Sequence, residues 1–161
     1  MTVTRSSTGP GGAAPSPLPA MTVNALQDAL AAEHAALWCY ALVVAFLPAE
    51  QLTPARADAA AHRELRATLE RILSGAGMRA VTAEPAYATP QPVTDGPSAA
   101  GLAAVAESDG LGAWKSVLEH TSDRTLRRTA LTVLTEGTLR SARWRAVLGT
   151  QPAVPPFPGR P

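Results

Sequence analysis

The fifteen prolines are the feature that most restricts what this chain can fold into, because they fall in clusters and leave long stretches between them free. Pro10, Pro15, Pro17 and Pro19 precede the first free stretch, and Pro48 and Pro54 separate it from the second. Pro85, Pro90, Pro92 and Pro97 fill the middle, and five more follow residue 150. Proline inside a helix removes a hydrogen bond and clashes with the preceding turn, so regular helices are expected between these clusters. The free stretches carry helical periodicity. Leu26, Leu30, Glu33, Leu37, Tyr40, Val44 and Leu47 recur at spacings of three and four, as do His62, Leu65, Leu69 and Ile72. Leu102, Val105, Ala106, Leu111, Trp114, Val117 and Leu118 mark a third helix. Leu126, Ala130, Val133, Gly137, Arg140, Trp144 and Val147 mark a fourth. Aromatic residues make up only 4% of a chain that is 46% hydrophobic, a balance that favours close-packed helices over strands.

Capping residues set the expected boundaries. Thr22 or Asn24 opens the first helix, and Thr53-Pro54 reads as N-cap and first helical residue of the second. Ser98 caps the third helix and Asp123 the fourth, while Gly75, Gly77 and Gly149 provide stops. Short connections make helices one and two, and three and four, antiparallel hairpins. Residues 78–97 are too long and proline-rich for a turn and read as an extended strap running the length of a bundle. The expected fold is all-α: a four-helix bundle of two antiparallel helical hairpins joined by a long Pro-rich crossover. The expected organisation is a disordered arm over residues 1–20, the bundle over 21–150 and a Pro-rich tail over 151–161.

Composition narrows the function classes. A net charge of +1 gives no global field for nucleic acid, and the arginines at 124, 127, 128, 140, 143 and 145 read as a solvated face. No apolar run reaches the ~20 residues of a membrane span, and the N-terminal region has no signal-peptide pattern, so a cytoplasmic location is expected. Cys39 is the sole cysteine, which excludes an intrachain disulfide, and it reads as a small core residue.

Several stretches together resemble a known family. They are Ala25-Leu26-Gln27-Asp28-Ala29-Leu30-Ala31-Ala32-Glu33-His34-Ala35-Ala36 through Tyr40, Pro85-Ala86-Tyr87, Pro92-Val93-Thr94-Asp95, Leu134-Thr135-Glu136 and Ala142-Arg143-Trp144-Arg145. They resemble an actinobacterial ferritin-like domain family of unknown function, which implies architecture and no reaction. The wider ferritin-like superfamily often binds two iron or manganese ions through a Glu from each of two helices and a Glu-x-x-His from each of the other two. Glu33 and Glu107 match the lone glutamates, His62 a histidine and Glu136 the opening of a motif. Ala59 and Leu139 stand where the remaining ligands would be.

Register weakens one common centre further. With Glu33 about fifteen residues before the first turn and His62 about eight after the second helix begins, their levels differ by about 10 Å. Tyr40, His62 and Glu107 then share one level, Glu33 and Glu136 another. Glu33 interrupts an apolar stripe, so a core hydrogen bond or ion pair, with helix four as a candidate partner, is its first reading. Glu107 reads as a helix-surface residue, and His34 as outside the core. The expected function is non-catalytic association, as a homodimer or with a protein partner, with no cofactor, no nucleic acid and no membrane. The alternative is a degenerate iron- or manganese-binding protein, a metal-dependent oxidoreductase using Glu33, His62, Glu107 and Glu136. A third reading places a small apolar ligand between the helices.

Overall fold

A computed structural model describes residues 17–159, so the expected N-terminal arm lies mostly outside the described residues, as does the end of the tail. The described residues form four helices and no strand: α1 (Ala20–Val43), α2 (Ala49–Gly75), α3 (Gly96–His120) and α4 (Arg124–Val147). The chain is therefore an all-helical four-helix bundle. Helix α1 packs against α2 and α3, and α3 packs against α4. Because α1 has neighbours on several sides, its buried residues wrap most of its circumference, from Val23 and Leu26 to Ala36, Cys39 and Val43.

Helix starts differ from expectation at three of the four positions. Helix α1 begins at Ala20 with Pro19 at its N-cap and no side-chain cap; Thr22 is instead buried and donates to the His120 carbonyl at 2.5 Å. Helix α2 begins at Ala49, and Pro54 sits inside it. Pro54 is the sixth residue of α2, just past the first turn whose N–H groups have no intrahelical partner, so the helix forgoes the one bond that an N–H here would make to the Glu50 carbonyl. The cap of α3 is Asp95, with Ser98 at N3. Asp95 Oδ1 accepts from the Ser98 N–H at 2.9 Å while Ser98 Oγ accepts from the Asp95 N–H at 3.0 Å, a reciprocal capping box. Asp123 caps α4 as expected, accepting from Leu126 N–H at 2.7 Å.

Residues 76–95 lie along α1 without regular structure. Gln27 binds the Arg79 carbonyl and the Val81 N–H, and His34 Nε2 lies 3.3 Å from the Val81 carbonyl. His34 is thereby buried, contrary to its expected place outside the core: the segment covers a helix face that periodicity alone leaves open. Farther along, Tyr87 meets Trp38 with ring centroids 6.0 Å apart, and Val93 packs against the core near the end of α1. After α4 the chain turns at Gly149 (φ +67°), and Arg145 donates twice to the Pro152 carbonyl. Gly159 approaches the Leu111 carbonyl so closely that a Cβ there would sit 2.8 Å from its oxygen.

The core has two apolar clusters. One gathers Val43, Leu47, Ala55, Ala99, Leu102 and Ala103; the other gathers Leu26, Leu30, Leu69, Leu73, Val117 and Ala130. Between them lies a band of buried polar side chains.

Candidate functional site: a buried ion network

That band is centred on His62. Its Nδ1 lies 2.6 Å from Glu33 Oε2 and its Nε2 lies 3.1 Å from Glu107 Oε1. Carboxylate oxygens only accept, so both ring nitrogens donate, which is the pattern of an imidazolium. Burial by itself would lower the pKa of His62, but hydrogen bonds to Glu107 and Glu33, and their charges, overcome it and hold it up at about 9. His62, Glu33 and Glu107 are each 1% exposed.

The other helices complete the network. Trp114 of α3 donates to Glu33 Oε1 at 2.7 Å, so both oxygens of Glu33 are engaged. Arg140 of α4 presents Nε to Glu107, 3.0 Å from Oε2 and 3.2 Å from Oε1. Tyr40 of α1 donates to Glu107 Oε1 at 2.7 Å and lies 3.2 Å from Asp58 Oδ2. Trp144 Nε1 is shared between Tyr40 Oη at 2.9 Å and Asp58 Oδ2 at 3.0 Å, and Arg143 Nη2 closes on Asp58 Oδ1 at 2.5 Å. No polar side-chain atom of this network is buried without a partner. Its charges also balance: the carboxyl groups of Glu33, Asp58 and Glu107 face the cations His62, Arg140 and Arg143.

The shifts within the network follow from these contacts. Burial pushes Glu107 up, yet the hydrogen bond and charge of His62, with the charge of Arg140, leave its pKa below the usual carboxylate range. Burial, and then the neighbouring Glu107 and Asp58 charges, drive the Tyr40 phenol well above its ordinary value, so it remains a donor. Burial disfavours charge on Arg140, but Glu107 outweighs it and raises its pKa. Outside the network, burial and then the Asp109 charge push the Cys39 thiol up to about 11, which makes it an inert core residue.

The structure revises several sequence expectations. Glu33 is a buried ion-pair partner, but its partners come from α2 and α3 and not α4. The expected 10 Å mismatch with His62 shrinks because α1 stops at Val43 and α2 starts at Ala49. Glu33 then stands ten residues before one end and His62 thirteen from the other, a difference of about 4.5 Å that two side chains span. Glu107 is fully buried and not a surface residue, and Arg140 leaves the solvated arginine face to pair with it. Glu136 is exposed on α4, away from the other three candidates.

Asp58 is a member that sequence reasoning missed, although it lies one turn before His62 on the same face of α2. Arg140 and Trp144 were on the α4 stripe, and their i, i+4 spacing was the available signal. The space left at the centre is about 10 Å3, bounded by Glu33, His62, Glu107 and Gly110, about the least that admits one water. Among the described residues no group of three or more His, Cys, Asp or Glu side chains is arranged to hold a metal ion. Among the described residues no helix is long and apolar enough to cross a membrane.

Comparison with known proteins agrees with this architecture. A conserved hypothetical protein of Mycobacterium tuberculosis, rv2844, has a crystal structure that superposes with a TM-score of 0.78 at 36% identity, over 86% of this chain and 97% of that one. No functionally curated protein matches the chain. Residues 25–161 match the family described as Domain of unknown function (DUF4439), and the chain belongs to that family.

Proposed function

We propose that this protein is a ferritin-like bundle in which an ion network takes the place of a dimetal centre, and that it works by association and not by catalysis. In this reading α1–α2 and α3–α4 are antiparallel hairpins, and residues 76–95 are the crossover between them. The successive contacts of that segment with Gln27, His34 and Trp38 support the connectivity. One observation carries the functional reading: both nitrogens of His62 are committed to carboxylates, and a guanidinium from α4 is fixed on the second of these.

A His ligand must offer a neutral nitrogen lone pair to a metal, and here both nitrogens point at acceptors. Helix α4 supplies Arg140 and Trp144 to the centre where a ligating helix would supply carboxylate and imidazole. These residues do not fit two iron or manganese ions. Association is supported by α4, where Leu131 and Leu139 lie two turns apart outside the buried face at 53% and 64% exposure. A homodimer is the simplest assembly.

The test has two parts. Purified protein exposed separately to iron, manganese and zinc, then desalted, should retain no stoichiometric metal. Sedimentation over micromolar concentrations should show a dimer that Leu139→Glu dissociates. One or two ions per chain, lost with Glu33→Ala, would instead establish the metal-binding oxidoreductase reading. Monomers throughout would refute the homodimer.

A further inference from the structure

Beside Tyr40 of the network, a cleft of about 360 Å3 lies between α1 and α2, a size within the range of small-molecule sites. Its two walls differ in chemistry. Helix α1 contributes Leu37 and Ala41, its C-cap residue Val44 adds to them, and α2 contributes Arg56, Arg63 and Arg66. On α2 these arginines recur, with Ala59 between the first two, at spacings of three and four, which puts all three guanidinium groups on one side of the cleft.

The cations are under-compensated. Among the described residues no carboxylate lies within 4.0 Å of Arg56 or Arg63. Arg66 has one acidic neighbour, Glu70 on its own helix at 3.8 Å, and Arg66 Nε is shielded from solvent with no hydrogen-bond partner. A shielded donor without an acceptor is destabilising, so Arg66 gains when its side chain turns Nε toward an anionic oxygen held beside Arg56 and Arg63. The opposite wall of exposed Ala41 and half-buried Leu37 and Val44 would lose its contact with water under an apolar chain. A neutral apolar ligand would leave Arg56 and Arg63 without a counter-charge. A polyanion such as nucleic acid would leave the apolar wall unused.

We propose that this cleft binds a free single-chain amphiphilic carboxylate. The carboxylate would be met by the forked donors of the arginines, the geometry that guanidinium groups recognise best, and the chain would lie over Leu37, Ala41 and Val44.

The experiment follows the amide and methyl resonances of the isotope-labelled full chain. It is titrated with dodecanoate below its micelle concentration, with dodecyl maltoside, and with vesicles of anionic phosphatidylglycerol. Dodecanoate should give saturable one-to-one shifts centred on Leu37, Ala41, Val44 and Ala59. Arg56→Gln with Arg63→Gln, both at exposed positions, should weaken it about tenfold, the effect of removing charge-assisted contacts at partly solvated sites. Ala41→Phe, which fills the exposed wall, should abolish binding with the helical spectrum unchanged. Several results would overturn the proposal: no saturable shift with dodecanoate, equal binding of the neutral maltoside, or full affinity in the double arginine variant. Binding to vesicles but not to free dodecanoate would overturn it too, by assigning the cleft to a lipid surface.

Discussion

The protonated state of His62 makes a quantitative prediction about stability and pH. Its pKa rises from an ordinary 6.5 to about 9 in the folded protein. A group whose folded pKa is raised contributes stability that is fully present below its unfolded pKa and is lost as pH rises through the folded one. The window is therefore from about pH 6.5 to about pH 9. At 1.36 kcal/mol per pKa unit the amount at stake is about 3 kcal/mol, a large share of the ~5–15 kcal/mol of a typical domain. His62 is 1% exposed, so solvent screening does not reduce this figure appreciably.

Two other raised groups act later, whereas Asp109, which burial raises from an ordinary 3.8, begins to act below the window. Cys39, raised from 9.0 to about 11, draws on stability only above about pH 9, and the Tyr40 phenol only above about pH 10. Urea unfolding across the window should therefore show the midpoint falling steadily, by an amount equivalent to about 3 kcal/mol. His62→Gln should be less stable at neutral pH and flat over the same range. A wild-type midpoint that is constant or rises from pH 6.5 to 9 would refute the imidazolium assignment. A fall that persists unchanged in His62→Gln would assign the proton to another group.

Three further perturbations test the surrounding account. Glu107→Gln removes the carboxylate shared by Tyr40, His62 and Arg140, and should cost about 3–5 kcal/mol by denaturant unfolding while lowering the His62 pKa in an NMR titration. Gly110 is buried beside the small central void, and a Cβ there would meet nothing within 4 Å. Gly110→Ala should accordingly raise stability by about 1 kcal/mol through helix propensity, read as a higher thermal midpoint. Asp95→Ala breaks the capping box of α3 and should lower the thermal midpoint, with amide exchange accelerated in the first turn of that helix.

The helices were legible because their apolar stripes and proline boundaries are written locally. What was not legible depends on tertiary contact. Pro54 looks like a first helical residue, and only the structure shows that α2 starts at Ala49. That shift of five residues, with the earlier end of α1, brings Glu33 and His62 within side-chain reach, so an error in a boundary became an error in the site. Arg140 is the sharper case. Its place on the apolar stripe of α4 pointed inward, yet its company among the other arginines suggested a solvated face, and the stripe proved the better guide. Glu33 was recognisable because a carboxylate interrupting an apolar stripe needs a partner, whereas Asp58 stands on a helix rich in alanine and charge where no such contrast marks it. The burial of His34 depends on the segment at Val81, and no helical periodicity encodes that cover.

The central claim is that the middle of this bundle is closed by a doubly donating His62. Nitrogen-15 NMR of the histidine-labelled protein at about pH 7.5, before and after addition of zinc, tests it most directly. The account predicts both His62 ring nitrogens protonated, with shifts that zinc leaves unchanged. A neutral His62 ring, with one unprotonated nitrogen whose resonance moves when zinc is added, would contradict it.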